Sequence, residues 1–150
     1  MTISFSFDES IGILTNETSR TIVHYLAVHL ESYNITPAQW IVLLRLSQQE
    51  LLSQSELAKK VNKDQPTLAR ILDILEHKKL IERHASKEDR RSFMILLTGK
   101  GSLLVQELAP YVESIYGKML RGIPKEHLTI YSQTLNAIKK NILADAEKMQ

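Results

Sequence analysis

The sequence predicts a mainly α-helical protein with a small β-hairpin, and three observations carry that prediction. Thr36-Pro37-Ala38-Gln39 and Ser53-Gln54-Ser55-Glu56 each set a hydroxyl three residues before a Gln or Glu, the signature that opens a capped helix. Between Asp64 and Lys78, Leu68, Ile71, Leu72 and Leu75 recur at i, i+3, i+4 and i+7, which makes one buried helical stripe. After Leu80 the pattern changes to β-prone runs at 81–85 and 92–97 around the polar loop 86–91. Helix, tight turn, helix and hairpin form a winged helix-turn-helix over about residues 36–98. Long helices flank it at about 8–33 and 99–148, all within one domain of 150 residues.

Taken in order, Ile11, Leu14, Thr18, Ile22, Leu26, Leu30 and Tyr33 are spaced by three or four and predict a long amphipathic first helix. Pro37 sits at the first helical position, where its missing N–H has no intrahelical acceptor, and a second helix runs to Gln48 with Trp40, Leu43, Leu44 and Leu46 toward the core. The third helix is short, from Ser53 to about Val61. Asn62-Lys63-Asp64 breaks the chain, and Asp64 caps the fourth helix, whose first turn tolerates Pro66. Thr98 caps a helix to about Leu120, with Leu104, Leu108, Val112, Ile115 and Met119 on its apolar face. Gly122-Ile123-Pro124 ends that helix and opens the last one. There Leu128, Tyr131, Leu135, Ile138 and Ile142 recur at the a/d spacing of a coiled-coil-like seam. Such a seam packs either on the first or fifth helix of its own chain or across a homodimer, together with Leu14 of the first helix.

Composition narrows the function. The chain has no cysteine, which excludes disulfides, thiolate metal sites and thiol-based redox sensing. No apolar run approaches the length of a membrane span and the N-terminus lacks a signal-peptide pattern, so a cytoplasmic protein is expected. The net charge of +2 is small, but residues 53–91 hold ten Lys/Arg against seven Asp/Glu while the rest of the chain sums to −1. No nucleophile elbow, phosphate-binding Gly loop or H-E-x-x-H motif is present, so no enzymatic activity and no cofactor is expected. His24 and His29 are five apart and do not share a helical face, and Glu31 adds no ligand spacing, so no metal site is expected.

The segments I-T-P-A-Q-W-I-V-L-L at 35–44, S-E-L-A-K-K-V at 55–61, D-Q-P-T-L-A-R-I-L-D-I-L-E at 64–76 and D-R-R-S-F-M-I-L-L-T at 89–98 resemble the MarR family of winged-helix transcription factors. The resemblance covers nearly the whole chain and is most specific at Asp89, Arg91 and the run up to Thr98. It implies a homodimer with intertwined terminal helices, two winged lobes on a pseudopalindromic operator of double-stranded DNA, and release by a small aromatic or anionic effector. One position departs from the family pattern. Lys79 stands where glycine is usual at the end of the fourth helix, and a lysine in the left-handed conformation costs on the order of 1 kcal/mol. Either the turn has another geometry or that cost is tolerated.

Within this reading the fourth helix enters the major groove. Arg70 faces away from the leucines and suits guanine or phosphate, or else is a solvated charge. Gln65 and Thr67, with Pro66 between them, lie in the exposed first turn within reach of base edges or phosphate. Ser53, Gln54 and Ser55 offer neutral phosphate contacts, although capping alone also accounts for Ser53. Lys63 and Lys87 neutralise phosphates. Arg90 or Arg91 at the hairpin tip suits a narrow minor groove, and the family pattern gives Asp89 the task of holding Arg91. Effector residues are chosen by location in the family and by chemistry only: Arg20, His24 and Trp40, the last read first as a core residue. Two other readings stay open, a winged-helix module that binds protein and a repressor that needs no ligand.

Overall fold

The computed structural model describes residues 2–4, 6–49, 51–89 and 92–150. The chain forms two compact units, Met1–Ile115 and Tyr116–Gln150. The first contains α1 (Phe7–Leu30), a 3-10 turn (Glu31–Tyr33), α2 (Pro37–Gln48), β1 (Leu52–Ser53), α3 (Gln54–Lys60), α4 (Gln65–His77), β2 (Ile81–Ala85), β3 (Phe93–Leu97) and most of α5 (Gly99–Leu120); the second contains the end of α5 and α6 (Lys125–Lys148).

The helix starts follow from their caps. Thr36 Oγ1 accepts from the Gln39 N–H while the Gln39 side chain accepts from the Thr36 N–H, a complete capping box. At Ser53 only half of the box forms: its hydroxyl accepts from the Glu56 N–H and donates to the Glu56 carboxylate. The first helix begins at Phe7, ahead of the first residue in its apolar spacing, because Ser6 and Glu9 make a further capping box. It also stops at Leu30, where a 3-10 turn carries the chain to Asn34 in the left-handed conformation (φ 54°).

The sheet has one strand that the sequence pattern does not announce. β1 pairs antiparallel with β3, and β3 with β2, in the order β1-β3-β2. Leu52 faces Ile95 and Ile81 faces Leu97, so three apolar residues buried to 1% exposure or less, Leu52, Ile81 and Ile95, anchor one side of the sheet. A two-residue strand has no period to read, and Leu52-Ser53 looks only like the lead-in to a capped helix.

The stripe Leu68, Ile71, Leu72 and Leu75 of α4 is buried as its spacing predicts. It packs in a core with Leu30, Val42, Leu43, Leu57 and Leu108. Burying each such leucine contributes about 1.5–3 kcal/mol. Two further stripes keep their expected register and differ only at single positions. In α2 the buried set is Gln39, Trp40, Val42, Leu43 and Leu46, with Leu44 half-buried. In α5 it is Gly101, Val105, Leu108, Val112 and Ile115, with Leu104 half-buried. Gly101 sets this register, because its backbone lies against Leu80 so closely that an added Cβ would stand 2.1 Å from the Leu80 carbonyl oxygen. A glycine has no place in an apolar tally, so the buried face opens on Gly101 and Val105 where the leucine spacing opens on Leu104, and Leu108, Val112 and Ile115 follow as expected.

Lys79 adopts φ 61°, and its N–H reaches the Glu76 carbonyl while the Leu80 N–H reaches that of Leu75. This is a left-handed helix end built without glycine, so the turn keeps its geometry and the strain is tolerated. In the second unit Gly122 (φ 77°) makes the corresponding turn after α5, and Pro124 caps α6, which has no buried residue. Replacing Lys79 by glycine should raise stability by about 0.5–1 kcal/mol, the left-handed strain relieved less the extra freedom glycine gives the unfolded chain. Urea unfolding of Lys79→Gly reads this directly; an unchanged or lower midpoint means the turn is not strained.

Candidate nucleic-acid interface

The interface is built outward from α4. Its leucine stripe faces inward, which leaves Gln65, Pro66 and Arg70 exposed and Thr67 half-exposed at its N-terminal end. Asp64 caps that end: its Oδ1 accepts from the Thr67 N–H at 2.8 Å. This hydrogen bond, with a smaller attraction from Arg70, holds the Asp64 carboxyl below its ordinary value. The carboxylate is thereby turned onto its own helix, where it satisfies a free N–H and the positive end of the dipole.

Beside this cap lies a recess of about 440 Å³ lined by Ser55, Lys59, Asn62, Lys63, Asp64 and Gln65. It joins three residues named from sequence, Ser55, Lys63 and Gln65, with two that were not, Lys59 and Asn62. Asn62 is in the left-handed conformation (φ 53°), which asparagine tolerates better than most residues and which sets the tight turn between α3 and α4. The signal for it was the bare Asn62-Lys63 break between two helices. Lys59 carried none, since lysines at the end of a short helix are common. Ser53 and Gln54 are half-buried at the start of α3, and Ser53 is occupied with Glu56.

The exposed side of α4 also carries two acids, and both are tied to the neighbouring strand. Arg83 Nη2 lies 2.6 Å from Asp73 Oδ1 and 3.0 Å from Glu76 Oε1, while its Nε donates to Glu76 Oε2 at 3.3 Å. The pairing holds the Glu76 carboxyl below its usual range. It also offsets negative charge that would otherwise repel phosphates. At the hairpin loop, Lys87 and Asp89 are exposed, Ser86 accepts from the Glu88 N–H through its hydroxyl, and the Asp89 carbonyl accepts from the Ser92 N–H. Arg90 and Arg91 lie outside the described residues, and with them the expected Asp89–Arg91 pairing.

Of the residues expected to meet an effector, two are in solvent and one is in the core. Arg20 and His24 are exposed on α1, and Trp40 is buried at 6% exposure in α2. A separate cavity of about 630 Å³ lies between the turn after α1, the end of α4 and the start of α5, lined by Tyr33, Lys78, Leu80, Lys100, Leu104 and Glu107 among others. None of the three expected residues lines it. Next to it Tyr33 packs on Tyr111 with ring centroids 5.5 Å apart, and the Tyr111 hydroxyl is 3.3 Å from His29 Nδ1. Among the described residues no three His, Cys, Asp or Glu side chains gather as metal ligands, and no helix is long and apolar enough to cross a membrane.

The MarR family model matches residues 35–93, from the turn before α2 to the first residue of β3. The solved structure of the transcriptional regulator PA3341 is 35% identical to this chain, with 89% of this chain and 98% of that one covered and a TM-score of 0.79. This chain belongs to the MarR family. Two further solved structures are similar to this chain. The S. aureus MepR–DNA complex is 26% identical, covers 92% of this chain and 99% of its own, and has a TM-score of 0.80. B. bronchiseptica BpsR, whose DNA binding is regulated by 6-hydroxynicotinic acid, is 25% identical over 91% of this chain and 98% of its own, with a TM-score of 0.82. As a MarR family member the protein is a winged-helix, DNA-binding transcriptional regulator.

The Asp64 cap gives this MarR interface a pH dependence whose sign is fixed. The folded carboxyl titrates below its ordinary 3.8, so its contribution is complete above that value and is lost as pH falls through the lowered folded one. Asparagine caps equally well but does not titrate. Wild type should therefore be more stable than Asp64→Asn near neutral pH, and the gap should close as pH falls below 3.8 in urea unfolding series. A gap that stays constant with pH would show that the charge of the cap contributes nothing.

Proposed function

We propose that this protein is a homodimeric repressor that binds a pseudopalindromic operator and leaves it when a small aromatic or anionic effector binds. The observation that carries the DNA reading is the first turn of α4, where Gln65, Thr67 and Arg70 stand clear of the core beside a recess with Lys59 and Lys63. Arg70 reads a guanine edge or grips phosphate; the recess and the start of α3, with Ser53, Gln54 and Ser55, take phosphates. Lys87 neutralises phosphate, and Arg90 or Arg91 serves the minor groove. A dimer sets two such helices about 34 Å apart, so the operator is an inverted repeat with half-sites roughly 10 base pairs apart, read in the cytoplasm. The likeness to MepR in complex with DNA supports this reading.

Dimerisation is supported by surfaces that one chain leaves in water. In α6, Tyr131 is 51%, Ile142 61% and Leu143 65% exposed, and in α1 Leu14 is 63% exposed. Leu128 and Leu135 are half-buried and Ile138 sits beside them on the same seam. Contiguous exposed apolar stripes of this kind mark a protein interface. Leu135→Asp should give monomer or aggregate where wild type sediments as a dimer; a wild-type monomer at micromolar concentration would remove this part of the proposal.

Effector control is supported by the cavity between the turn after α1, the end of α4 and the start of α5, which sets the Tyr33 ring beside Leu80, Leu103 and Leu104, and by the ligand-regulated relative BpsR. Driving a two-state population from 1:99 to 99:1 needs about 5.5 kcal/mol. Two symmetric sites share that at under about 3 kcal/mol each. Operator selection from random duplexes, repeated with a panel of aromatic acids, tests the whole reading. Arg70→Ala should bind the selected operator about 1–3 kcal/mol more weakly and lose preference at one position per half-site. An unchanged preference would show that α4 does not read bases. Insensitivity to every acid would leave a repressor that needs no ligand.

A further inference from the structure

Residues 78–80, at the C-terminal end of α4, form a junction whose backbone carbonyls are all taken by the start of α5. The Lys78 carbonyl accepts from Lys100 Nζ at 3.1 Å, the Lys79 carbonyl from the Thr98 hydroxyl at 2.7 Å, and the Leu80 carbonyl from the Thr98 N–H at 3.1 Å. Gly101 lets α5 approach the last of these. From the opposite side the Lys78 ammonium donates to the Asn34 carbonyl and, at 3.2 Å, to Gln39 Oε1. Gln39 is itself buried and completes the cap of α2. Lys78 thus ties the end of the reading helix to the turn between α1 and α2, while Lys100 and Thr98 tie it to α5.

We infer that Lys78 is a positioning residue for DNA recognition, which sets the pitch of α4 against α1 and α5 and so the half-site spacing the protein accepts. This rests on the DNA-binding dimer proposed above. Lys78 lies about 13 residues, or roughly 20 Å, along the helix from Gln65. At that lever arm a tilt of about 5° moves the first turn by roughly 1.7 Å, more than a bidentate side-chain contact to a base tolerates. Both of its acceptors are neutral oxygens within the protein, so its ammonium is spent on the fold and is not offered to phosphate. Partial burial also draws the Lys78 pKa below the ordinary lysine value.

The test compares wild type, Lys78→Met, Lys78→Arg and Lys100→Met on the selected operator, on operators lengthened or shortened by one base pair between half-sites, and on a non-specific duplex across a salt series. Lys78→Met should bind the operator at least tenfold more weakly and tell the three spacings apart less well than wild type. Its affinity for non-specific duplex and its slope of log K against log salt should be unchanged. Lys78→Arg, which keeps donors for both oxygens, should restore most of the spacing preference. Lys100→Met, which frees the Lys78 carbonyl, should show the same pattern more weakly and stands in if Lys78→Met fails to fold. Equal losses on operator and non-specific duplex with a shallower salt slope would make Lys78 a phosphate contact and overturn the inference. An unchanged spacing preference in the folded variants would also overturn it. Wild type that selects no inverted repeat would instead bring down the proposed function, and this inference with it.

Discussion

The burial of Leu68, Ile71, Leu72 and Leu75 in one stripe is the constraint from which the rest of the interface follows. A helix that commits four apolar side chains to the core has no freedom to rotate about its own axis, because a turn of even one residue would move 100° of that stripe into water. The opposite side is therefore fixed as well, and it is the side that holds Pro66 and Arg70, with Gln65 exposed in the first turn. Specificity in such a protein begins in the core, since the identity of the exposed residues matters only after the buried ones have decided which of them are exposed.

Polar groups then settle what packing leaves open. Rotation about the helix axis is fixed by leucines, whereas the tilt of α4 is set at its two ends. At the N-terminal end the Asp64 cap and the left-handed Asn62 fix the turn from α3. At the other end the chain leaves in a left-handed turn at Lys79 and its carbonyls are taken up by Thr98 and Lys100. Along its side, Arg83 fastens the helix to β2 through Asp73 and Glu76. These ion pairs are largely in solvent, so each contributes little to stability. Their effect is directional: they neutralise two acids on a surface proposed for DNA and orient the strand that leads into the hairpin.

The two units differ in how completely they bury themselves. The first contains every buried side chain, while α6 has none and leaves Ile130, Tyr131, Ile142 and Leu143 in water. An amphipathic helix of 24 residues with no buried face is not stable on propensity alone. This asymmetry is the physical ground for the proposed pairing of chains, and it makes the proposed operator geometry a property of two chains where the fold of α4 is a property of one.

The sequence by itself determined the elements whose signals are local. Capping pairs at Thr36 and Asp64, the stripe of α4 and the change to β-prone runs after Leu80 each act over four to eleven residues, so a single chain displays them without its tertiary context. It likewise exposed Lys79 as a departure from the family's glycine, leaving the turn geometry open. What only the tertiary structure decided are the contacts between segments distant in the chain. β1 exists because Leu52 meets Ile95, the register of α5 because Gly101 meets Leu80, and the junction because Lys78 meets Asn34 and Gln39. The same holds for Arg83 of β2 meeting Asp73 and Glu76 of α4, and for the cavity at Tyr33. None of these pairs has a spacing that a periodic pattern records, because the chain must first be folded before its ends of helices and edges of strands acquire neighbours.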